Sequence, residues 1–109
     1  MTKRLVVYMS PWCYTSKDTQ SALNEWAVPA AYINIKEDRA AAARVRDWVG
    51  FESVPTLVIA DGESLEPFEP PAPLTAGASP RGVDRGSMIT EASRAQLRTW
   101  LVKHEFLAE

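Results

Sequence analysis

Apolar and polar residues switch between two periods along the chain, and the switches mark its elements. Leu5-Val6-Val7-Tyr8-Met9 is a continuous apolar run rich in strand formers, the pattern of a buried strand. From Thr15 to Ala27, residues Thr19, Leu23 and Trp26 recur at helical spacing. Val28-Pro29 ends that helix, because a proline pushes the residue before it out of the helical region. Ala31-Tyr32-Ile33-Asn34-Ile35 predicts a second strand. Asp38 is a candidate N-cap, able to accept from an unpaired N–H of a first helical turn. The second helix then runs to about Val49, with Ala41, Val45, Trp48 and Val49 on one face and Gly50 placed to close it. Val54-Pro55 leads into Thr56-Leu57-Val58-Ile59-Ala60, a third strand, and Asp61-Gly62 is a turn signal.

This β-α-β-α-β order predicts an α/β sheet with at least one parallel pair. A last helix starts at Ser93-Arg94-Ala95-Gln96, a capping box that satisfies two otherwise unpaired N–H groups. Leu97, Trp100 and Leu101 form its apolar stripe. Between Gly62 and Ala92 both periods are lost. That stretch holds five of the eight prolines and four of the five glycines, so it reads as an irregular insertion. Residues 66–73 are proline-rich, residues 76–86 are small and flexible, and a short fourth strand is expected near Ser64 to Phe68. A loop of this length is either functional or partly disordered.

Composition then narrows the class. With 109 residues the expectation is one domain spanning 1–109, with 62–92 as a loop insertion. A net charge of -2 with no basic face argues against a nucleic-acid partner. No apolar run is long enough to cross a membrane, so no membrane partner is expected. The start, Met1-Thr2-Lys3-Arg4 before five apolar residues, lacks the long apolar region and cleavage site of a signal peptide. A single cysteine excludes an internal disulfide, and a cytoplasmic address is the expectation.

That cysteine carries the candidate chemistry. Cys13 sits in Ser10-Pro11-Trp12-Cys13-Tyr14-Thr15-Ser16, between the first strand and the first helix. Helix N-termini present unpaired N–H groups and positive potential, which stabilise a thiolate. The plain structural alternative is a small buried hydrophobe. Position argues against it, since α/β sheets place their sites at the carboxyl ends of strands. Ser16 stands where a two-cysteine motif would carry its second sulfur, and could hydrogen-bond the thiolate or simply fill the first turn. Ser53-Val54-Pro55-Thr56 is the second half of the constellation. A proline at a strand mouth donates nothing to the ladder, and a cis bond there would let the Val54 backbone face a partner. Trp12 and Tyr14 flank the thiol as a candidate apolar wall, Trp12 being the one expected to be buried. Thr56 and Glu52 flank the proline as cleft candidates, and Lys17 lies one turn from Cys13. His104, with no nucleophile or metal ligand near it, reads as a surface residue, and Trp26, Trp48 and Trp100 read as core. No metal-ligand cluster, phosphate-binding glycine loop or Ser-His-Asp pattern is present.

Strand, Trp-Cys-Tyr-x-Ser, helix, strand, helix, then Ser-Val-Pro-Thr opening a third strand, resembles a glutaredoxin-like member of the thioredoxin superfamily. The nearest resemblance is to small actinobacterial redoxins whose site begins Trp-Cys. It covers residues 3–62, and the capped helix from Ser93 fits the family's last helix. The resemblance implies a thioredoxin-like fold with a mixed four-stranded sheet, the Pro55 strand antiparallel to the first. It implies a cis Val54–Pro55 bond beside Cys13. It also implies Cys13 as nucleophile, with Trp12, Tyr14, Ser16, Val54, Pro55 and Thr56 as substrate contacts. The activity implied is monothiol exchange with protein or small-molecule disulfides. Glutathione or mycothiol would be the cosubstrate, with no bound cofactor and no metal. Four departures qualify it. Ser16 replaces the second cysteine. Tyr14 and Thr15 stand where the cluster-carrying branch has Gly and Phe. The Gly-Gly turn that holds the small thiol's carboxylate is not found, and Glu52 puts an acid where a base is usual. Two other readings stay open: a redox-inactive binding module that recruits a partner through loop 62–92, and an iron–sulfur cluster carrier.

Overall fold

The protein, described over residues 2–108 by a computed structural model, is built on one central strand. That strand is β1 (Lys3–Met9), whose last five residues are all buried. A segment buried on both faces has no polar side, hence its unbroken apolar run. β2 (Ala31–Asn34) pairs parallel to β1, with Val6 opposite Ala31. β3 (Thr56–Asp61) pairs antiparallel on the other side, with Val6 opposite Val58. β4 (Met88–Thr90) lies antiparallel to β3, giving the order β2-β1-β3-β4.

Alternation along these strands fills two cores. Leu5, Val7, Leu57 and Ile59 face α1 (Tyr14–Glu25) and α3 (Arg94–Lys103), where Leu23, Leu97, Trp100 and Leu101 are buried. Val6, Tyr8, Val58 and Met88 face α2 (Arg39–Val49), against Ala41, Val45 and Val49. The sheet is thus the middle layer of three. The predicted caps are present: the Asp38 carboxylate accepts the Ala41 N–H at 3.0 Å, and Gly50 takes a left-handed φ of 101°. Ser93 and Gln96 form the reciprocal capping box of α3. Among the described residues, no helix is long and apolar enough to cross a membrane.

The fourth strand is not where the sequence placed it. Residues 64–68 form no strand, and β4 lies twenty residues later. Pro67, Pro70 and Pro71 remove N–H donors that a ladder needs, whereas Met88, Ile89 and Thr90 keep theirs. The helix α1 also stops at Glu25, so Trp26 is its half-buried C-cap rather than an interior position.

The insertion between β3 and β4 is bonded along its length. The Phe68 N–H donates to the Ile59 carbonyl at 2.8 Å, and the Tyr8 hydroxyl donates to the Leu65 carbonyl. The buried Arg85 guanidinium donates to the carbonyls of Ala72 and Trp48, each at 2.7 Å. The Trp100 indole N–H donates to Gly86 at 2.9 Å, and the Gly82 N–H donates to Thr90 at 2.7 Å. Backbone groups that no helix or sheet satisfies are met here by long-range partners.

Candidate functional site

After β1 the chain reverses in one turn, closed by the Cys13 N–H donating to the Ser10 carbonyl at 3.1 Å. Cys13 is the N-cap of α1, with φ -92° and ψ 124°, and its carbonyl accepts the Lys17 N–H at 3.1 Å. A sulfur at the N-cap faces the unpaired N–H groups of the first turn. Burial pushes the Cys13 thiol up, but the N–H and hydroxyl groups of Ser16 and Thr15 outweigh it and hold the pKa below that of an ordinary thiol.

Opposite the sulfur lies the loop into β3. The thiol is 3.8 Å from the Val54 carbonyl. The Val54–Pro55 peptide bond is cis. Among the described residues, no backbone partner takes the Val54 N–H. The Pro55 carbonyl accepts the Glu91 N–H at 2.8 Å, which ties this loop to the turn after β4.

The candidate substrate contacts separate into two groups. Cys13, Tyr14, Trp12 and Val54 remain accessible, and the structure brings Cys13 and Val54 together. Trp12 is 83% exposed and Tyr14 82%, which corrects the expected burial of Trp12. The turn from Ser10 to Cys13 leaves Trp12 on its outer side. Ser16 and Thr56 are buried and committed elsewhere. The Ser16 oxygen accepts the Ser10 N–H at 3.3 Å, which ties the first turn of α1 back to the turn after β1. The Thr56 hydroxyl donates to the Ser53 carbonyl at 2.8 Å and sits 3.0 Å from the Thr90 hydroxyl, bracing β3 to β4. Pro55 itself is buried. Glu52 is paired with Arg46 at 2.9 Å on the surface, and Lys17 is exposed. His104 is half-buried, not a surface residue: it caps α3 at the end remote from Ser93, edge-on to Trp100. Burial, then the neighbouring Lys103, hold its pKa below the ordinary histidine value.

A cleft of about 410 Å³ opens between the first turn of α1 and the start of α3, lined by Tyr14, Thr15, Asp18, Arg81, Glu91 and Gln96 among others, without Cys13 itself. Its floor is the turn between β4 and α3. The turn carries no Gly-Gly pair, and Glu91 takes a left-handed backbone there, with φ 48°. Arg81, from the end of the insertion, reaches over to Glu91 at 3.4 Å. Asp18 is held by Arg94, which also binds Glu25. Asp18, Arg81 and Glu91 were not singled out by the sequence, and Gln96 only as half of the capping box. The capping box could have located the turn, but no local pattern signals that Arg81 meets it. A separate cavity of about 310 Å³, between Gly82, Ile89 and Trp100, does not adjoin Cys13. Among the described residues, no three His, Cys, Asp or Glu side chains gather as a metal-ligating group.

A mixed sheet between helical layers, a thiol capping the first helix, and a strand-mouth proline opposite it define a thioredoxin-fold redox protein. The glutaredoxin family model matches residues 5–65, more than half of the chain, and the chain belongs to that family. No curated protein matches it. The matched segment ends before β4 and α3, so Arg81 and Glu91 lie outside it.

Proposed function

We propose that the protein is a monothiol exchange enzyme acting on mixed disulfides between a protein and a low-molecular-weight thiol, glutathione or mycothiol. The observation that carries this reading is Cys13 at the N-cap of α1, its thiolate favoured by Ser16 and Thr15, with no second cysteine in the chain. In the first step the Cys13 thiolate attacks the small-thiol sulfur of the mixed disulfide. An S–S bond forms on Cys13, the original S–S bond breaks, and the protein leaves as a thiolate that takes a proton from water. In the second step another small thiol attacks the mixed disulfide on Cys13. It releases the Cys13 thiolate and leaves as the symmetric small-thiol disulfide, so the two electrons come from two small thiols. Attack is favoured because a lowered thiol pKa raises the fraction present as the nucleophilic thiolate. The Val54 backbone, whose N–H has no backbone partner among the described residues, is assigned to pair with the incoming thiol. Exposed Trp12 and Tyr14 offer apolar surface beside it.

The test incubates the reduced protein with glutathionylated and mycothiolated protein substrates. Expected are a single small-thiol adduct on Cys13 by mass and a freed substrate thiol, both lost in Cys13→Ser. A Cys13 that titrates as a free thiol and acquires no adduct overturns the proposal.

A further inference from the structure

The insertion holds a proline-rich run that the exchange chemistry does not use. Residues 70–75, Pro-Pro-Ala-Pro-Leu-Thr, carry no helix, strand, bend or hydrogen-bonded turn. Pro70, Pro71 and Pro73 fix their own φ at about -65°. Glu69 and Ala72, each followed by a proline, are kept extended as well. Residues 69–73 are therefore all confined to the polyproline II region, a helix with about three residues per turn. Burial follows that repeat. Pro71 and Leu74 share one edge and are half-buried, whereas Pro70 with Pro73, and Ala72 with Thr75, are exposed on the other two.

A polyproline II helix makes no hydrogen bonds of its own, so external ones hold this run in place. The Ala72 N–H donates to the Arg85 carbonyl at 3.0 Å, and the Arg85 Nε donates back to the Ala72 carbonyl at 2.7 Å. The Ser87 hydroxyl donates to the Glu69 carbonyl at 2.8 Å, and the Ala78 N–H closes the far end on the Thr75 carbonyl at 2.9 Å. The charge beside the run has one sign. Glu63, Glu66 and Glu69 are exposed, and no Lys, Arg or His lies between Glu63 and Pro80. Among the described residues, none of these three glutamates enters an ion pair.

We propose that residues 70–75 are a docking ligand for a partner protein whose groove is lined by Trp and Tyr side chains and rimmed by Lys or Arg. Pro70 and Pro73 seat between the aromatic rings, and Glu66 and Glu69 meet the basic rim. Pro71 and Leu74 keep the run seated on its own protein. Because the run is already held extended, docking pays little ordering entropy. It uses neither Cys13 nor Val54, so it does not depend on the exchange chemistry.

The test uses two forms of one WW domain, a fold that reads proline-rich segments in an aromatic groove. One form carries lysines at the loop positions bordering the groove, the other glutamates. Each is titrated into the full chain by isothermal calorimetry at low salt. The lysine form is expected to bind more tightly than the glutamate form, by roughly two- to fivefold for each charge that pairs. The double variant Pro70→Ala, Pro73→Ala should lose binding while its exchange rate at Cys13 stays at the wild-type value. Glu66→Lys with Glu69→Lys should reverse the preference between the two forms. No binding of the lysine form, or binding that survives the loss of Pro70 and Pro73, overturns the proposal. Equal binding of both forms overturns the basic rim. Should the proline variant fail to fold, the reversal by the two lysines decides.

Discussion

Replacing Ser16 by alanine isolates what the position without a second sulfur does. Two bonds are lost. The Ser10 N–H, buried and 3.3 Å from the Ser16 oxygen, loses its acceptor. An orphaned buried donor costs about 1–3 kcal/mol, and the long geometry points to about 1 kcal/mol, or a fall in Tm of about 4–8 °C. The second loss is the hydroxyl that helps hold the Cys13 pKa down. A hydrogen bond to a charged group is worth about 1.5–3 kcal/mol, and Cys13 is only half-buried, so the lower end applies. That corresponds to about a tenfold lower thiolate fraction at pH below both thiol pKa values. A more basic thiolate is, however, more nucleophilic, with a Brønsted slope of about 0.4–0.5, which returns about threefold. The net expectation is therefore a rate about threefold lower at pH below both thiol pKa values and about threefold higher at pH well above both. Single-turnover exchange with a neutral dipyridyl disulfide, followed by absorbance across pH, reads the crossing directly. Stability follows the same sign. The wild-type pKa is depressed, so thiolate stabilisation is full above the ordinary thiol pKa and is lost as pH falls through the folded value. The Tm deficit of Ser16→Ala should then widen as pH rises. Parallel rate–pH profiles with no crossing would show that Ser16 does not act on the sulfur.

Gly82→Ala tests the seam between the insertion and α3. A Cβ there would lie 2.5 Å from the Gln96 side-chain oxygen, which is held by the Ser93 N–H, and φ is 73°. A loss of about 1–3 kcal/mol is expected by chemical denaturation, and an unchanged midpoint would contradict it. Arg85→Met tests what orders the insertion, because it strands the carbonyls of Ala72 and Trp48. Stability should fall by about 1–3 kcal/mol, and limited proteolysis should cut within residues 62–87 before the rest of the chain. An insertion as resistant as in the wild type would refute the role given to Arg85.

The elements that could be read from the sequence are those whose period is enforced by burial. Leu5 to Met9 and Thr56 to Ala60 are covered on both faces, and the stripe of α2 meets only one core. Cys13 and Val54-Pro55 were legible because turn and cap chemistry is local: a thiol at a helix start and a proline at a strand mouth need no distant partner to be recognised. What could not be read is what distant partners decide. Ser16 and Thr56 look like cleft residues until Ser10, Ser53 and Thr90 are seen to engage them. β4 is three residues long and owes its place to pairing with β3, not to a pattern of its own. The insertion has no period at all, and its course depends on bonds such as Arg85 to Trp48, 37 residues apart. The family match covers the locally readable half, ending at residue 65, while the turn that completes the cleft lies beyond it. The sulfur and its activation thus lie in the part this chain shares with glutaredoxins. The Arg81–Glu91 pair that lines the neighbouring cleft comes from residues outside that match.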